Sequence, residues 1–240
     1  MPNRLKTIGV LGGMGPAATV DFLAKVIAAT PARADQEHVP MIVSNIPQIP
    51  DRSRAIMEKT DAPLAALLEA LNMLQNAGAE VLVMPCNSAH RWFGELARHA
   101  SIPMLHIVDA VKRQAVDVGE SPLGLMATRG TIRAGIYQDR FGSASGRLIL
   151  PDEDGQIAVD SAILKVKAGL NGRQDAERGV QGLMAKGALR IILACTELPL
   201  ALLQSPLKEY CIDATEALAK QCVAASYAAE TWNSGMYLSQ

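Results

Sequence analysis

Short, continuously apolar runs alternate with longer amphipathic segments along the first half of the chain. The apolar runs have the length of buried β-strands, and they are TIGVLGG, VPMIVSN, AEVLVMP and IPMLHIV. The segments AATVDFLAKVIAAT, DAPLAALLEALNMLQNAG and SAHRWFGELARHA have the apolar spacing of helices. Pro16 suits a first helical turn, and Asp61 and Gly78 are the expected cap and end of the second helix. Strands that alternate with helices predict right-handed βαβ units and a parallel sheet.

The same alternation begins again beyond about residue 120. The strands predicted there are SPLGLMAT, GRLILP and ALRIILA. GTIRAGIYQDRF contains a helix start, SAILKVKAGL and DAERGVQGLMAKG are helical, and DATEALAKQCVAASYAAETW is expected to form one long final helix.

This restart also repeats individual residues. AGAEVLVMPCNSA and KGALRIILACTEL both run from glycine through an apolar strand to a cysteine, so that Gly78 precedes Cys86 and Gly187 precedes Cys195 by the same spacing. IGVLGGMGPAATVDF and LGLMATRGTIRAGIY share a second set of positions at one offset. The aligned pairs are Gly9 with Gly124, Gly15 with Gly130 and Phe22 with Tyr137. Two matches in the same order indicate an internal repeat.

The repeat predicts an α/β fold of two related lobes, each with a parallel sheet, arranged with pseudo-twofold symmetry. We expect residues 1–107 with 213–240 to form the first lobe, which carries Cys86, and residues 108–212 to form the second, which carries Cys195. Ligands of open α/β sheets bind beyond the carboxyl ends of the strands. The two cysteines should therefore face each other across one cleft.

Charge and composition exclude several functional classes. Lys and Arg number 23 against 24 Asp and Glu, which argues against a broad surface for nucleic acid or anionic membrane. No apolar run reaches the ~18–20 residues of a membrane-spanning helix. The start MPNRLKTIGVLGGMG lacks the pattern of an export signal, so we expect a cytoplasmic protein with free thiols.

A cysteine at a strand end, just before a helix, suits acid–base chemistry. Backbone N–H groups there are expected to lower its pKa from about 8.5 toward neutrality. Asn87 and Ser88 follow Cys86, and Thr196 and Glu197 follow Cys195, as polar neighbours of each sulfur. Two such groups on opposite faces of one carbon could remove a proton and return one from the other side, which inverts the centre.

Other interpretations of the cysteines are weaker. Each could be a buried structural thiol, and this is the expected role of Cys211 and Cys222, which have no counterpart in the repeat. A zinc site is disfavoured because no C-x-x-C pair or H-E-x-x-H helix occurs. A dyad of Cys86 with His90 is allowed by the spacing, although His90 lies one helical turn further on.

The glycine-rich turn GGMGPAA has two interpretations. Gly13, Gly15 and Ala18 satisfy a dinucleotide-binding fingerprint, but no acidic residue ends the second strand, and Pro16 occupies the turn where a pyrophosphate would approach. We favour a loop whose backbone N–H groups hold a small carboxylate at a helix N-terminus. The corresponding turn of the second lobe offers three residues for the same purpose: Thr128, Gly130 and Thr131.

An arginine after the second strand is a candidate partner for a second carboxylate. Arg52 lies in PQIPDRSRAI, and a guanidinium there could hold a carboxylate with two hydrogen bonds. The alternative is a solvated surface arginine. Arg54 is a weaker candidate of the same kind.

Four segments together resemble a known family. VLGGMGPAAT, MPCNSAH, ATRGT and ACTELPL, between about residues 7 and 215, look like the signatures of the cofactor-independent aspartate/glutamate racemases, within the aspartate/glutamate/hydantoin racemase superfamily. The resemblance implies two Rossmann-like lobes, an active site between them, usually a homodimer, and catalytic roles for Cys86 and Cys195. It implies ligand contacts for Met14, Asn87, Ser88, Thr128, Thr131 and Thr196, with Arg52 facing the side-chain carboxylate of aspartate and Lys167 matching a lysine at the site. Ser53 and Ser88 stand where threonine is common.

These observations predict pyridoxal-independent racemisation of an acidic amino acid, aspartate before glutamate, with no metal or nucleotide. Maleate isomerases of the same superfamily also use two cysteines, but the MGP loop and Arg52 favour a racemase. Arylmalonate decarboxylases use one cysteine, which the pair argues against. A non-catalytic amino-acid-binding protein is the remaining alternative, and it would not need a proton-transfer pair.

Overall fold

Two parallel β-sheets form the framework of the chain. The computed structural model describes residues 4–119 and 121–227. The first sheet has the order β2-β1-β3 and the second the order β5-β4-β6-β7. Their strands are β1 (Ile8–Gly12), β2 (Met41–Asn45), β3 (Val81–Val83), β4 (Leu123–Ala127), β5 (Leu148–Ile149), β6 (Arg190–Ala194) and β7 (Cys211–Asp213). All pairings are parallel, which confirms the predicted α/β class.

Helices follow most of the strands, as the alternating pattern predicts. The α-helices are α1 (Pro16–Ala29), α2 (Arg52–Glu58), α3 (Leu64–Asn76), α4 (Phe93–His99), α5 (Ile107–Gln114), α6 (Arg129–Arg133), α7 (Ile136–Phe141), α8 (Glu153–Lys167), α9 (Arg173–Ala185), α10 (Glu197–Ala201) and α11 (Ala214–Tyr227). Short 3₁₀ turns are Asp35–Glu37, Ser88–Trp92, Ala115–Val118, Gly142–Arg147 and Pro206–Tyr210. Within the described ranges, no helix is both long and apolar enough to cross a bilayer.

The two sheets repeat one arrangement. β1 and β4 are inner strands, β2 and β5 lie on one side of them, and the cysteine-bearing β3 and β6 lie on the other. β7 lies beyond β6, and the first sheet has at this place only a single bridge between Leu82 and Met104. The matching order agrees with the predicted pair of related lobes.

The predicted fourth strand, IPMLHIV, is wrong. Only Met104 forms a bridge to the sheet, and the chain enters α5 at Ile107. His106 caps this helix, because its Nδ1 accepts a hydrogen bond of 3.1 Å from the backbone N–H of Val108. The helix cap therefore competes with strand pairing over these residues. The strand that does occupy the edge of the second sheet, β7, has three residues and was not predicted.

The helix signals were predicted with mixed success. Pro16 is the first residue of α1, and Gly78 follows α3 with φ +94°, the left-handed conformation that glycine adopts readily, so both predictions are confirmed. Asp61 does not cap α3, which begins at Leu64. Its Oδ1 instead accepts a hydrogen bond of 2.7 Å from Trp92 Nε1.

One apolar cluster is shared by the two lobes. It contains buried residues of β1, β4 and β6 together with α1, α5, α7 and α11. A second cluster lies outside the first sheet under α3, and a third outside the second sheet under α8 and α9. Both sheets contribute to this central cluster. Their packing against it fixes the carboxyl ends of the strands of one sheet relative to those of the other.

The final helix is tied to the first lobe. Lys25 of α1 forms an ion pair of 2.7 Å with Asp213 and donates to Thr215 at 2.8 Å. Near the other end of α11, Ser226 Oγ donates to the carbonyl oxygen of Lys6 at 2.8 Å. Helix α11 is described as far as Tyr227. The predicted helix extends to residue 232, and residues 228–232 lie outside the described ranges. Grouping 213–240 with the first lobe, and the boundary at residue 107, stay predictions.

Candidate active site

A small cavity lies between the carboxyl ends of the two sheets. We call it the inner cavity, and its volume is about 20 Å³, room for about one water molecule. An amino acid is larger, so binding requires the surrounding groups to move apart. The lining residues are Met14, Asp51, Arg52, Ser53, Cys86, Asn87, Ser88, Thr128, Thr131, Lys167, Ala194, Cys195, Thr196 and Glu197.

The inner cavity brings together every site residue predicted from the sequence except Gly130. The backbone N–H of Gly130 donates to Ser53 Oγ at 3.2 Å, and a Cβ on Gly130 would lie 2.5 Å from that oxygen. Glycine thus allows α6 of the second lobe to approach α2 of the first. Gly130 forms a contact between the lobes and does not line the inner cavity.

Three lining residues were not predicted as site residues: Asp51, Ser53 and Ala194, the last residue of β6. Asp51 caps α2, since its Oδ1 accepts a hydrogen bond of 2.7 Å from the N–H of Arg54. An aspartate three residues before that N–H is a capping signal, and its position after β2 places it at the same sheet edge. Ser53 stands out in the sequence only as a substitution for threonine, and it faces Gly130 across the lobes.

Arg52 is buried, so its interpretation as a solvated surface residue is wrong. Its side chain is 8% exposed, and Nη1 donates to the carbonyl oxygens of Ile49 at 2.9 Å and Pro50 at 3.0 Å. Its Nε is buried without a hydrogen-bond partner. An unpaired donor on a buried cation is costly unless a ligand completes it. Arg54, by contrast, is exposed and pairs with Glu58 at 2.7 Å.

Cys86 follows β3 at the start of a short turn. Its sulfur lies 3.7 Å from Ser88 Oγ. His90 contacts the backbone of Cys86 and not the thiol, because its Nδ1 is 2.9 Å from the carbonyl oxygen of Cys86. Its Nε2 accepts a hydrogen bond of 3.1 Å from the N–H of Ile107, so Nδ1 carries the hydrogen. Burial lowers the pKa of His90 to about 4. The hypothesis of a Cys86–His90 dyad is therefore wrong.

Cys195 directly follows β6 and has a charged neighbour. Its Sγ donates to Glu197 Oε2 at 3.0 Å. Burial, and then the negative charge of Glu197, raise the pKa of Cys195 well above its ordinary value, and Lys167 opposes this shift. The predicted lowering of the thiol pKa is wrong for Cys195. The main reason is burial of the thiol, and the second is that a carboxylate occupies the first turn of the five-residue helix α10, where the backbone N–H groups were expected to act alone.

In the side-chain amide of Asn87, the oxygen has a hydrogen-bond partner and the nitrogen has none. Tyr137 Oη donates to Asn87 Oδ1 at 2.7 Å, whereas Asn87 Nδ2 is buried without a partner. Burial raises the pKa of Tyr137 well above its ordinary value, which keeps the phenol a donor. The bond fixes the orientation of the Asn87 amide and leaves its N–H groups for a ligand of the inner cavity.

The two glycine-containing turns are held by threonines. In the first lobe, Thr19 Oγ1 accepts from the N–H of Gly13 at 2.8 Å, and a Cβ on Gly13, which has φ +91°, would lie 2.3 Å from the backbone nitrogen of Ile46. The glycine is therefore explained by packing against the protein itself. In the second lobe, Thr128 Oγ1 accepts from the N–H of Thr131 at 3.2 Å and caps α6.

A larger cavity adjoins the inner one. We call it the outer cavity. Its volume is about 360 Å³, and it shares Asp51, Arg52, Lys167 and Glu197 with the inner cavity. Its other walls are Gly13, Gly15, Pro16, Ala17, Ala18, Pro47, Ile49, Val166 and Leu200. The four shared side chains lie between the outer cavity and the two cysteines.

The arrangement offers thiols, hydroxyls, an amide and two cations to one small ligand. Over residues 4–119 and 121–227, no group of three or more His, Cys, Asp or Glu residues is placed to hold a metal ion. The chemistry available from these side chains is proton transfer beside a bound carboxylate.

Comparison with known proteins gives the same picture. The sequence profile of the Asp/Glu/hydantoin racemase family matches residues 11–222. The structure resembles the aspartate racemase of Picrophilus torridus with a TM-score of 0.82 and 31% identity, covering 92% of this chain and 94% of that one. The broad specificity amino-acid racemase RacX of Bacillus subtilis is 29% identical over 90% of this chain and 96% of its own length.

Sequence similarity to glutamate racemases covers less of this chain. The glutamate racemase of Corynebacterium glutamicum is 32% identical over 53% of this chain and 47% of its own length. With the family profile spanning both strand-end cysteines, the chain belongs to the Asp/Glu/hydantoin racemase family and is an amino-acid racemase.

Proposed function

We propose that the protein racemises an acidic amino acid, aspartate before glutamate, by a two-base mechanism that uses Cys86 and Cys195. The observation that carries the proposal is that both strand-end cysteines line one cavity, together with a buried arginine whose Nε has no partner. No pyridoxal, metal or nucleotide takes part in this mechanism.

In this mechanism one sulfur, as thiolate, removes the α-proton, and the other, as thiol, delivers a proton to the opposite face. The flattened carbon carries negative charge that spreads into the α-carboxylate. The amide of Asn87 lines the inner cavity and is available to stabilise that charge. Thr128 Oγ1 and Thr131 Oγ1 lie 3.0 Å apart and one donates to the other, so one of these two hydroxyls is a further donor. Each fixed donor contributes more in a closed, dry site than it would in water.

Arg52 would select the acidic side chain. Its Nη1 is held by two backbone carbonyl oxygens, so the guanidinium plane is oriented before a ligand binds. The remaining N–H groups suit a carboxylate in two-point contact. The match to an aspartate racemase over 92% of this chain at 31% identity supports aspartate as the first substrate.

Two further proposals concern the state of the protein. The family resemblance supports a homodimer, which light scattering of the purified protein would test. A cytoplasmic location remains a proposal, which fractionation of the source cells would test.

Circular dichroism of purified protein with single enantiomers tests the function. We expect the signal of L-aspartate to decay to zero, that of L-glutamate to decay more slowly, and those of neutral amino acids to persist. Decay with neutral amino acids alone would overturn the acidic specificity. Formation of fumarate from maleate, without any racemisation, would replace the proposal by an isomerase.

A further inference from the structure

The two cysteines have different acid–base partners. The sulfur of Cys86 has a neutral hydroxyl, that of Ser88, at 3.7 Å. The sulfur of Cys195 has the carboxylate of Glu197 at 3.0 Å. In an architecture that repeats, this difference arises from the position two residues after each cysteine, which is Ser88 in one lobe and Glu197 in the other.

Glu197 is held close to the thiol but is not neutralised by it. Its side chain is 4% exposed, and Oε2 accepts from Cys195 Sγ and from Thr196 Oγ1, each at 3.0 Å. Oε1 faces the glycine loop, 3.7 Å from where a Cβ on Gly15 would lie. Among the described residues, no basic side chain forms an ion pair with Glu197.

The charged and titratable groups around this pair come from several elements. Lys167, at the end of α8, lines both cavities and acts electrostatically on Cys195. Asp51 and Arg52, at the start of α2, line the same two cavities. Tyr137 of α7 interacts electrostatically with Asp213 and Cys195. A proton on Glu197 would remove the negative charge next to the sulfur.

We propose that Glu197 exchanges a proton with Cys195, so that Cys195 acts as a base only after it has passed its own proton to Glu197. The proposal rests on the two-cysteine function above and adds to it a residue that acts through another. It gives Glu197, which the sequence identifies as a polar neighbour of the Cys195 sulfur, a role in proton transfer.

In both directions, every proton that leaves one group is accepted by another. The S–H bond of Cys195 breaks and an O–H bond forms on Glu197, which leaves a thiolate and a carboxylic acid. The thiolate takes the α-proton, and the thiol of Cys86 protonates the other face. In the reverse direction the Cys86 thiolate takes the α-proton, Cys195 donates its own, and Glu197 then returns a proton to the Cys195 thiolate.

Glu197→Gln removes the negative charge of the side chain and keeps its shape. Glutamine keeps an oxygen that can accept from the thiol, but it cannot take a proton. Loss of a proton-transfer partner lowers kcat by about 10²–10⁴-fold. Glu197→Asp retains the carboxyl group at a shorter reach and should recover part of the rate. Glu209→Gln makes the same charge change on an exposed residue outside both cavities and should leave the rate unchanged.

Alkylation by iodoacetamide, followed by peptide mass spectrometry, tests the contact without any substrate. Without bound substrate, water can take the proton of Cys195, so removal of the opposing carboxylate should speed alkylation of Cys195 at about pH 7.5. In the closed complex, where water is excluded, the proposal makes Glu197 the acceptor of that proton, so racemisation should still fall. Labelling of buried Cys222 would report an unfolded variant, and Glu197→Asp then serves in its place. Unchanged or slower labelling of Cys195 in a folded Glu197→Gln protein would overturn the coupling.

Isotope effects separate proton exchange from a structural role. With Cys195 impaired as a base, the α-deuterium effect on kcat/KM should rise for the enantiomer whose proton Cys195 takes, because that removal becomes limiting. It should fall for the other enantiomer, because the intermediate then returns to substrate before Cys195 can protonate it. A structural defect would lower the rates and leave both isotope effects unchanged, which would overturn the proposal.

The two proposals can fail separately. A wild-type protein that racemises no amino acid contradicts the proposed function, and alkylation still reports on the Glu197–Cys195 contact. A wild-type protein that racemises aspartate, with unchanged isotope effects in Glu197→Gln, contradicts only the proton exchange.

Discussion

After β3, the protein controls Cys86 through its backbone: His90 bonds to the carbonyl oxygen of Cys86 and is itself bonded by the N–H of Ile107. After β6, it controls Cys195 through a side chain, because Glu197 contacts the sulfur directly. The equivalent strands set where the two sulfurs lie, and in the proposed mechanism the residues that follow each strand set how each sulfur exchanges protons. A repeated fold can thus carry two bases of unequal character on the two faces of one substrate.

The strongest expected effect comes from removing either sulfur. Cys86→Ala and Cys195→Ala should each lower racemisation by at least about 10²–10⁴-fold, because neither base can reach the other face of the carbon. Polarimetry of aspartate measures this loss. Cys211→Ala and Cys222→Ala are the controls, since neither thiol lines the inner cavity. Comparable losses in the controls would show that the fold, and not the pair, is being measured.

The next effect concerns the side-chain carboxylate, which both cysteines require in place. Arg52→Ala should reduce kcat/KM for the best acidic substrate by a factor that corresponds to roughly 2–5 kcal/mol, because a desolvated carboxylate loses its charged partner. Arg54→Ala is the matched control, as Arg54 is exposed. A change of less than a few-fold in Arg52→Ala would remove the argument for acidic specificity.

Buried His90, which follows the first strand-end cysteine, should make the free energy of unfolding depend on pH. His90 has a pKa of about 4 in the folded protein, because burial disfavours its charged form, and an ordinary value of 6.5 when unfolded. The unfolded chain binds the extra proton first. The resulting stability is present above about pH 6.5 and is lost as the pH falls to about 4, on the order of 3 kcal/mol in total.

Urea unfolding at several pH values measures this slope. His90→Asn should flatten it, whereas His99→Asn, at an exposed position, should not. Arg140 and His106 also act electrostatically within this histidine cluster, so the difference between wild type and His90→Asn is the informative quantity. If the free energy of unfolding changed equally with pH in the wild type and in His90→Asn, the role assigned to the buried imidazole of His90 would be contradicted.

The smallest effect concerns the contact that brings the two strand ends together. Gly130→Ala would place a Cβ 2.5 Å from Ser53 Oγ and 2.8 Å from its Cα, and should push α6 from α2. Overpacking of this kind costs about 1–3 kcal/mol. Thermal unfolding and KM measure the two consequences. Ser53→Gly in the same chain should recover part of the loss, and no recovery would indicate that Gly130 acts elsewhere.

The strand ends are predictable from the sequence because apolar runs and the internal repeat mark where each sheet ends. The same pattern is enough to place Cys86 and Cys195 at one cavity. It does not identify the partner of each sulfur, since the contact of Glu197 with Cys195 depends on a side-chain conformation within a short helix. Asp51 has a capping signal, but this signal does not distinguish a helix cap from a cavity wall.

Errors in the predicted elements have similar causes. IPMLHIV has the composition of a strand, yet His106 caps a helix within it. β7 is too short, at Cys211–Asp213, to show any periodicity. The predicted lowering of the Cys195 pKa considered the backbone N–H groups and omitted the burial of the thiol and the carboxylate two residues along the chain.

Racemisation in heavy water tests the central claim, a pair of bases on opposite faces of the α-carbon, most directly. With L-aspartate as substrate, early D-aspartate should carry deuterium at the α-carbon, because its proton comes from the second sulfur. Recovered L-aspartate should keep its original hydrogen, because the first sulfur mostly returns the proton it took. Nuclear magnetic resonance of both enantiomers at low conversion gives the two values. Substantial deuterium in recovered L-aspartate before D-aspartate accumulates would indicate one exchanging base and would contradict the roles assigned to Cys86 and Cys195.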